Sequence, residues 1–145
     1  MSVPAEMIME RNASHDANPA YAGDITVIEA WRLLEQSADA VLVDVRTPQE
    51  WEQVGLPDLS DIGKAPIRLS WMVSPDGNAT SRFVEEFSQL GVAQDTPVLL
   101  LCRSGGRSAA AACALTAAGF RRCLNVSDGF EGQAGWKAAQ LPWTQ

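Results

Sequence analysis

The stretch LLLCRSGGRSAAAA, residues 99–112, constrains this chain more than any other. A leucine run ends in a cysteine, two arginines and two glycines, and then passes into alanine. That order reads as strand, tight loop, helix. The strand, Pro97 to Leu101, is continuously apolar, as strands buried on both faces of a parallel sheet are. Parallel neighbours require long crossover connections, normally helices. The stretch therefore predicts an α/β fold.

The rest of the chain supplies the alternation. Order is expected to begin at Ile25. Thr26 followed by Glu29 fits a capping box, with a helix from Val27 whose Ile28, Trp31 and Leu34 share a face. Ala40 to Val45 reads as a buried strand. Thr47, Pro48 and Glu50 form a second capping box, so a short helix follows at once. Gly55 to Pro66 reads as loop, Ile67 to Trp71 as a short strand, and SPDGNATS, residues 74–81, as a turn. Arg82 to Leu90 reads as a helix with Phe83, Phe87 and Leu90 on one face and Gly91 as its C-terminal cap. Ser108 to Ala118 reads as an alanine-rich helix stopped by Gly119, Cys123 to Val126 as a last strand, and Phe130 to Ala139 as a final helix. Together these predict a mostly parallel central sheet flanked by helices on both faces. Residues 1–22 are polar and irregular and read as a flexible tail before a single domain, residues 23–145.

Composition narrows the function classes. With 18 acidic and 11 basic residues the formal net charge is -7, a poor match for nucleic acid. There is no long apolar run to span a membrane, and the start lacks a basic region followed by an apolar block. A cytoplasmic setting is the expectation. Three cysteines, Cys102, Cys113 and Cys123, with no regular spacing argue against a disulfide framework. A single histidine, His15, gives a metal site little support.

Cys102 stands at a strand's C-terminal end, where open parallel sheets gather their ligands. The loop that follows feeds a helix N-terminus, whose unpaired N–H groups and dipole attract anions. Gly105 and Gly106 let the backbone curl so that several N–H groups converge, and Arg103 and Arg107 add charge. This field favours a thiolate, so Cys102 reads as a nucleophile whose product or ligand is an anion held by the loop. Cys113 and Cys123 read as small buried hydrophobes, with a resolving-thiol role open to either one that lies near Cys102.

The segment VLLLCRSGGRSAAAACALTAAGF, with VLVDVRTPQEWEQVG before it and NVSDGFEG after it, resembles a single-domain rhodanese, a sulfurtransferase. The likeness covers roughly Ile25 to Trp143. It implies that Cys102 takes a sulfane sulfur from a donor such as thiosulfate and holds it as a persulfide. The sulfur then passes to a thiol, cyanide or a protein acceptor, without metal or organic cofactor. On this reading Arg103, Ser104, Gly105, Gly106 and Arg107 bind the anionic donor and the persulfide. Ser108 is expected to cap the following helix. Asp44 and Arg46 match the family's D-x-R and are expected in a supporting role, as a structural ion pair or loop anchor, ahead of direct contact with substrate. Trp71 is expected as a pocket wall or as core, and Gly129, Phe130 and Glu131 as structural. Many relatives carry G-H-I-P-G-A after the D-V-R segment. Here the stretch between Gly55 and Trp71 is longer and has no histidine, which alters the expected pocket entrance.

Three other readings compete. Phosphatases and arsenate reductases set a cysteine and an arginine around an oxyanion on a loop one residue longer. Here RSGG alone separates Cys102 from Arg107, a cradle tighter than a tetrahedral oxyanion needs. A persulfide carrier or docking module would keep the loop but turn thiosulfate over poorly. A redox sensor would oxidise Cys102 to a sulfenic acid and resolve it with another thiol.

Overall fold

Five short parallel strands carry the architecture in a computed structural model that describes residues 20–72 and 78–145. The elements run β1 (Gly23–Ile25), α1 (Val27–Gln36), β2 (Val41–Asp44), α2 (Pro48–Gln53), β3 (Leu56–Pro57), β4 (Ile67–Arg68), α3 (Asn78–Ser88), β5 (Val98–Leu101), α4 (Gly106–Ala117), β6 (Cys123–Val126) and β7 (Trp143–Thr144). The main sheet has the order β1-β6-β5-β2-β4, every pair parallel. β5 is central: Leu99 faces Leu42 on one side and Leu124 on the other. β3 and β7 form a separate antiparallel pair.

Side chains alternate across the sheet, as a strand's period of two requires. Leu99 and Leu101 enter a core with Ala30, Leu33 and Leu34 of α1 and with Phe130 and Trp136. Val98, Leu100 and Cys102 enter the opposite core, with Phe83 and Phe87 of α3 and Ala111, Ala112 and Leu115 of α4. Helices therefore cover both faces. Both capping boxes are present, Thr26 with Glu29 and Thr47 with Glu50.

Several local readings are corrected. The buried face of α1 is Val27, Ala30, Leu33 and Leu34, and Ile28 is 39% exposed. The stripe is rotated by one residue because Leu33 as well as Leu34 packs inward. α3 begins at Asn78 and ends at Ser88, leaving Leu90 beyond it and exposed. The turn expected over residues 74–81 lies outside the described residues up to 77 and is helix from Asn78. The tail expected over residues 1–22 likewise lies outside them up to residue 19. Ala22 already donates its N–H to Cys123 O at 2.9 Å. The strand expected over Ile67 to Trp71 is confined to Ile67–Arg68. α4 starts at Gly106, two residues early.

The final helix over Phe130 to Ala139 does not form. The segment is a series of turns. Gly129, Gly132 and Gly135 weaken any helix there, and their backbones are pressed too close for side chains. A Cβ on Gly132 would stand 2.1 Å from Asp128 O, and one on Gly135 2.7 Å from Gly129 O. The turns instead sink Phe130 and Trp136 into the α1-side core.

At the C-terminal end of β2, Asp44 and Arg46 are both fully buried. Arg46 Nε donates to Asp44 Oδ1 at 2.9 Å and Nη2 to Oδ2 at 2.6 Å. Nη2 also donates to Gly55 O at 2.8 Å, and the guanidinium carbon lies 4.2 Å from the Phe130 ring centroid. Removing one partner of such a pair strands a buried charge. Asp44→Ala is expected to lower the unfolding free energy by about 3–5 kcal/mol, and Asp44→Leu with Arg46→Met to recover part of that loss. Urea unfolding at one pH measures both.

Candidate active site

Cys102 follows the last residue of β5, and the loop 103–105 leads into α4. Gly105 caps the helix at φ +106, and its missing side chain matters, because a Cβ would lie 2.2 Å from Ser127 O. From there its N–H donates to Cys102 Sγ at 3.1 Å. The loop is held from behind by the segment after β6. Phe130 N–H donates to Cys102 O at 2.8 Å and Glu131 N–H to Arg103 O at 2.9 Å. Gly129, at φ +62, allows this approach, since a Cβ there would meet Arg103 O at 2.5 Å.

Ser108 does not cap α4. Its hydroxyl is buried, 3.2 Å from Cys102 Sγ and 2.6 Å from Asn125 Oδ1. The helix needs no side-chain cap because Gly105 makes the turn and Cys102 Sγ takes its N–H. Burial of Cys102 opposes ionisation, but hydrogen bonds from Ser108, through hydroxyl and backbone, and from the Gly105 and Ser104 backbone outweigh it. The thiol is held below its ordinary value. By contrast, burial pushes the Cys123 thiol up to about 11, and Cys113 lies half-buried on α4.

The loop's arginines are engaged elsewhere. Arg107 makes a bidentate pair with Glu50 of α2, Nη1 to Oε1 at 2.7 Å and Nη2 to Oε2 at 2.9 Å. Arg103 points outward, 67% exposed, with Nε 3.5 Å from Glu131 Oε2. Ser104 and Gly106 are exposed. Asp44 and Arg46 reach the site through Phe130 and the neighbouring strand end. Trp71 is core, packed edge-on against Phe83 at 5.3 Å on the same side of the sheet as Cys102. The Gly55–Trp71 stretch forms β3, a single 3-10 helical turn (Ser60–Ile62) and β4, and with Thr144 lines a shallow groove of about 310 Å³ that does not include Cys102.

Sequence reasoning missed Glu50 as Arg107's partner, having read it as a cap alone, although it does both. It also missed Asn125, whose signal was present: a polar residue inside the apolar strand CLNV, which must find buried partners.

The fold is rhodanese-like: solved rhodanese-like domains share the parallel sheet and its flanking helices. More narrowly, the family model described as the STR4 middle domain matches residues 22–145, and the chain belongs to that family. It is 41% identical over 126 residues to an uncharacterized protein of Rickettsia conorii, covering 83% of this chain and 95% of that one. It is 31% identical over 111 residues to a sulfurtransferase of Allochromatium vinosum, covering 75% and 82%. The crystal structure of Rv0390 from M. tuberculosis superposes with a TM-score of 0.75 at 43% identity, covering 86% of this chain and 98% of that one.

The Arg107 guanidinium is the main cause that lowers the Glu50 carboxyl from 4.5 to about 2. A depressed folded-state value means stability that is complete above the unfolded value and lost as pH falls toward the folded one. Glu50→Gln is therefore expected to flatten the acid-side loss of stability between pH 4.5 and about pH 2. Thermal melts across that range check it.

Proposed function

We propose that this chain is a sulfurtransferase that carries a sulfane sulfur on Cys102. The Cys102 thiolate attacks the outer sulfur of thiosulfate. The sulfur–sulfur bond of the donor breaks, sulfite leaves with the electron pair, and a Cys102 persulfide remains. An acceptor thiolate or cyanide then attacks the terminal sulfur and regenerates the Cys102 thiolate. A persulfide donor enters the same scheme with a thiolate as the leaving group. No cofactor takes part in either step.

The observation that carries this reading is the convergence of Gly105 N–H and the Ser108 hydroxyl on Cys102 Sγ, at 3.1 and 3.2 Å. Donors so placed favour the attacking thiolate and can follow the charge as it moves to a terminal sulfur. Cys102 is only 1% exposed, so an added sulfur would be held by the loop rather than by solvent. The relative named a sulfurtransferase supports the same chemistry. The loop's length and Arg107's engagement with Glu50 weigh against a phosphatase, which needs its arginine on the oxyanion. Three free cysteines suit a reducing compartment such as the cytoplasm.

One observation favours a second reading, a persulfide carrier that serves a protein partner. Arg103 and Arg107 each face a carboxylate, so a small dianion such as thiosulfate meets little free positive charge.

Thiocyanate formation from thiosulfate and cyanide tests the proposal. Cys102→Ser is expected to abolish it with the melting temperature unchanged, and retained activity in that variant overturns the assignment. Arg107→Ala is expected to raise KM for thiosulfate about tenfold or more if its charge reaches the donor. An unchanged KM with loss of stability alone makes Arg107 structural and favours the carrier.

A further inference from the structure

The Ser108 hydroxyl has one proton and two acceptors in front of it. Asn125 Oδ1 lies at 2.6 Å and Cys102 Sγ at 3.2 Å. A hydroxyl hydrogen serves one of them at a time. Which one it serves is decided away from the cysteine, at the far end of the Asn125 amide.

Asn125 Nδ2 donates to Asp24 Oδ1 at 2.9 Å, across from β6 to β1. An ionised carboxylate only accepts, so it fixes the amide with its nitrogen toward Asp24 and its oxygen toward Ser108. The reverse orientation would set two oxygens against each other. Tyr21 reinforces the arrangement by donating its hydroxyl to the same Asp24 Oδ1 at 2.9 Å. Burial, and then the Asp24 carboxylate, push that phenol up to about 12, so it remains a donor at neutral pH. Asn125 itself is 4% exposed, so an oxygen left without its hydrogen bond is not rescued by bulk water.

We propose that Asn125 is a positioning residue for Cys102: fixed by Asp24, it draws the Ser108 proton away from the sulfur and so favours the resting thiol. In that state the Cys102 S–H donates to Ser108 Oγ, and Ser108 donates to Asn125 Oδ1. When a solvent base removes the thiol proton, the Ser108 hydrogen turns to the thiolate, and Asn125 Oδ1 loses its bond. The loop N–H groups lower the thiol, and Asn125 limits how far. The inference rests on Cys102 as the sulfur-bearing group, but its test reads the thiol with no sulfur donor present, so the two can fail separately.

The measurement is the rate of Cys102 alkylation by iodoacetamide against pH, with peptide mapping to assign the adduct to Cys102. Asn125→Ala is expected to move the midpoint down by about one pH unit. Ser108→Ala is expected to move it up. The double variant is expected to match Ser108→Ala, because Asn125 acts only through that hydroxyl. A general packing role for Asn125 does not produce a downward shift that vanishes with Ser108. Should Asn125→Ala fail to fold, Asp24→Asn on the exposed edge strand frees the amide to turn. It is expected to give a smaller downward shift, absent in the Ser108→Ala background. The charges beyond this chain of bonds, Arg107 with Glu50 and Asp44 with Arg46, are untouched by these variants. An unchanged or raised midpoint in Asn125→Ala, or a shift of equal size with and without Ser108, overturns the proposal.

Discussion

Arg46 is a fully buried guanidinium, and the rest of the site is arranged around that fact. Burying a charge costs several kcal/mol even after relaxation, and the attraction of one carboxylate offsets this only with good geometry and further partners. Asp44 supplies the carboxylate, Gly55 O a second acceptor, and the Phe130 ring a face for the cation. Each partner belongs to a different part of the chain: the end of β2, the segment entering β3, and the turns after β6. Phe130 is the decisive link, because its own N–H holds Cys102 O. The ion pair thus fixes the segment that fixes the cysteine loop.

Electrostatics at Cys102 is set by oriented neutral donors more than by full charges. The Gly105 N–H points its hydrogen at the sulfur and the Ser108 hydroxyl turns its own there when the thiolate forms, while Arg103 and Arg107 face Glu131 and Glu50. A cradle of this kind suits one polarisable sulfur. It suits a dianion of several oxygens less well, since each oxygen asks for a donor of its own. The loop backbone can reach this geometry only because Gly105 and Gly129 leave space where Ser127, Cys102 and Arg103 carbonyls press in.

What was legible in the sequence was local. The β5–loop–α4 unit declares itself through an apolar run, paired glycines and alanine. Thr26 and Thr47 announce their helices through capping boxes. What was not legible was long-range. β1, β3 and β7 are two or three residues each and exist through pairing with distant partners, so propensity says little about them. Arg107 and Glu50 meet across 57 residues, and Asn125 and Asp24 across 101. Ser108 was misread for the same reason: a serine near a helix start looks like a cap until the sulfur and Asn125 are seen on either side of it. The glycine-spaced segment after Phe130 mimics a helix in composition, and only the close backbone contacts of Gly132 and Gly135 reveal turns.

The central claim is that Cys102 itself bears the transferred sulfur. Intact mass spectrometry of the purified protein, before and after thiosulfate and with a reductant control, tests it most directly. The account predicts a gain of one sulfur atom that reductant reverses and that the Cys102→Ser protein never shows. No gain from thiosulfate or from a persulfide donor, on a Cys102 that alkylating agents still modify, would contradict it.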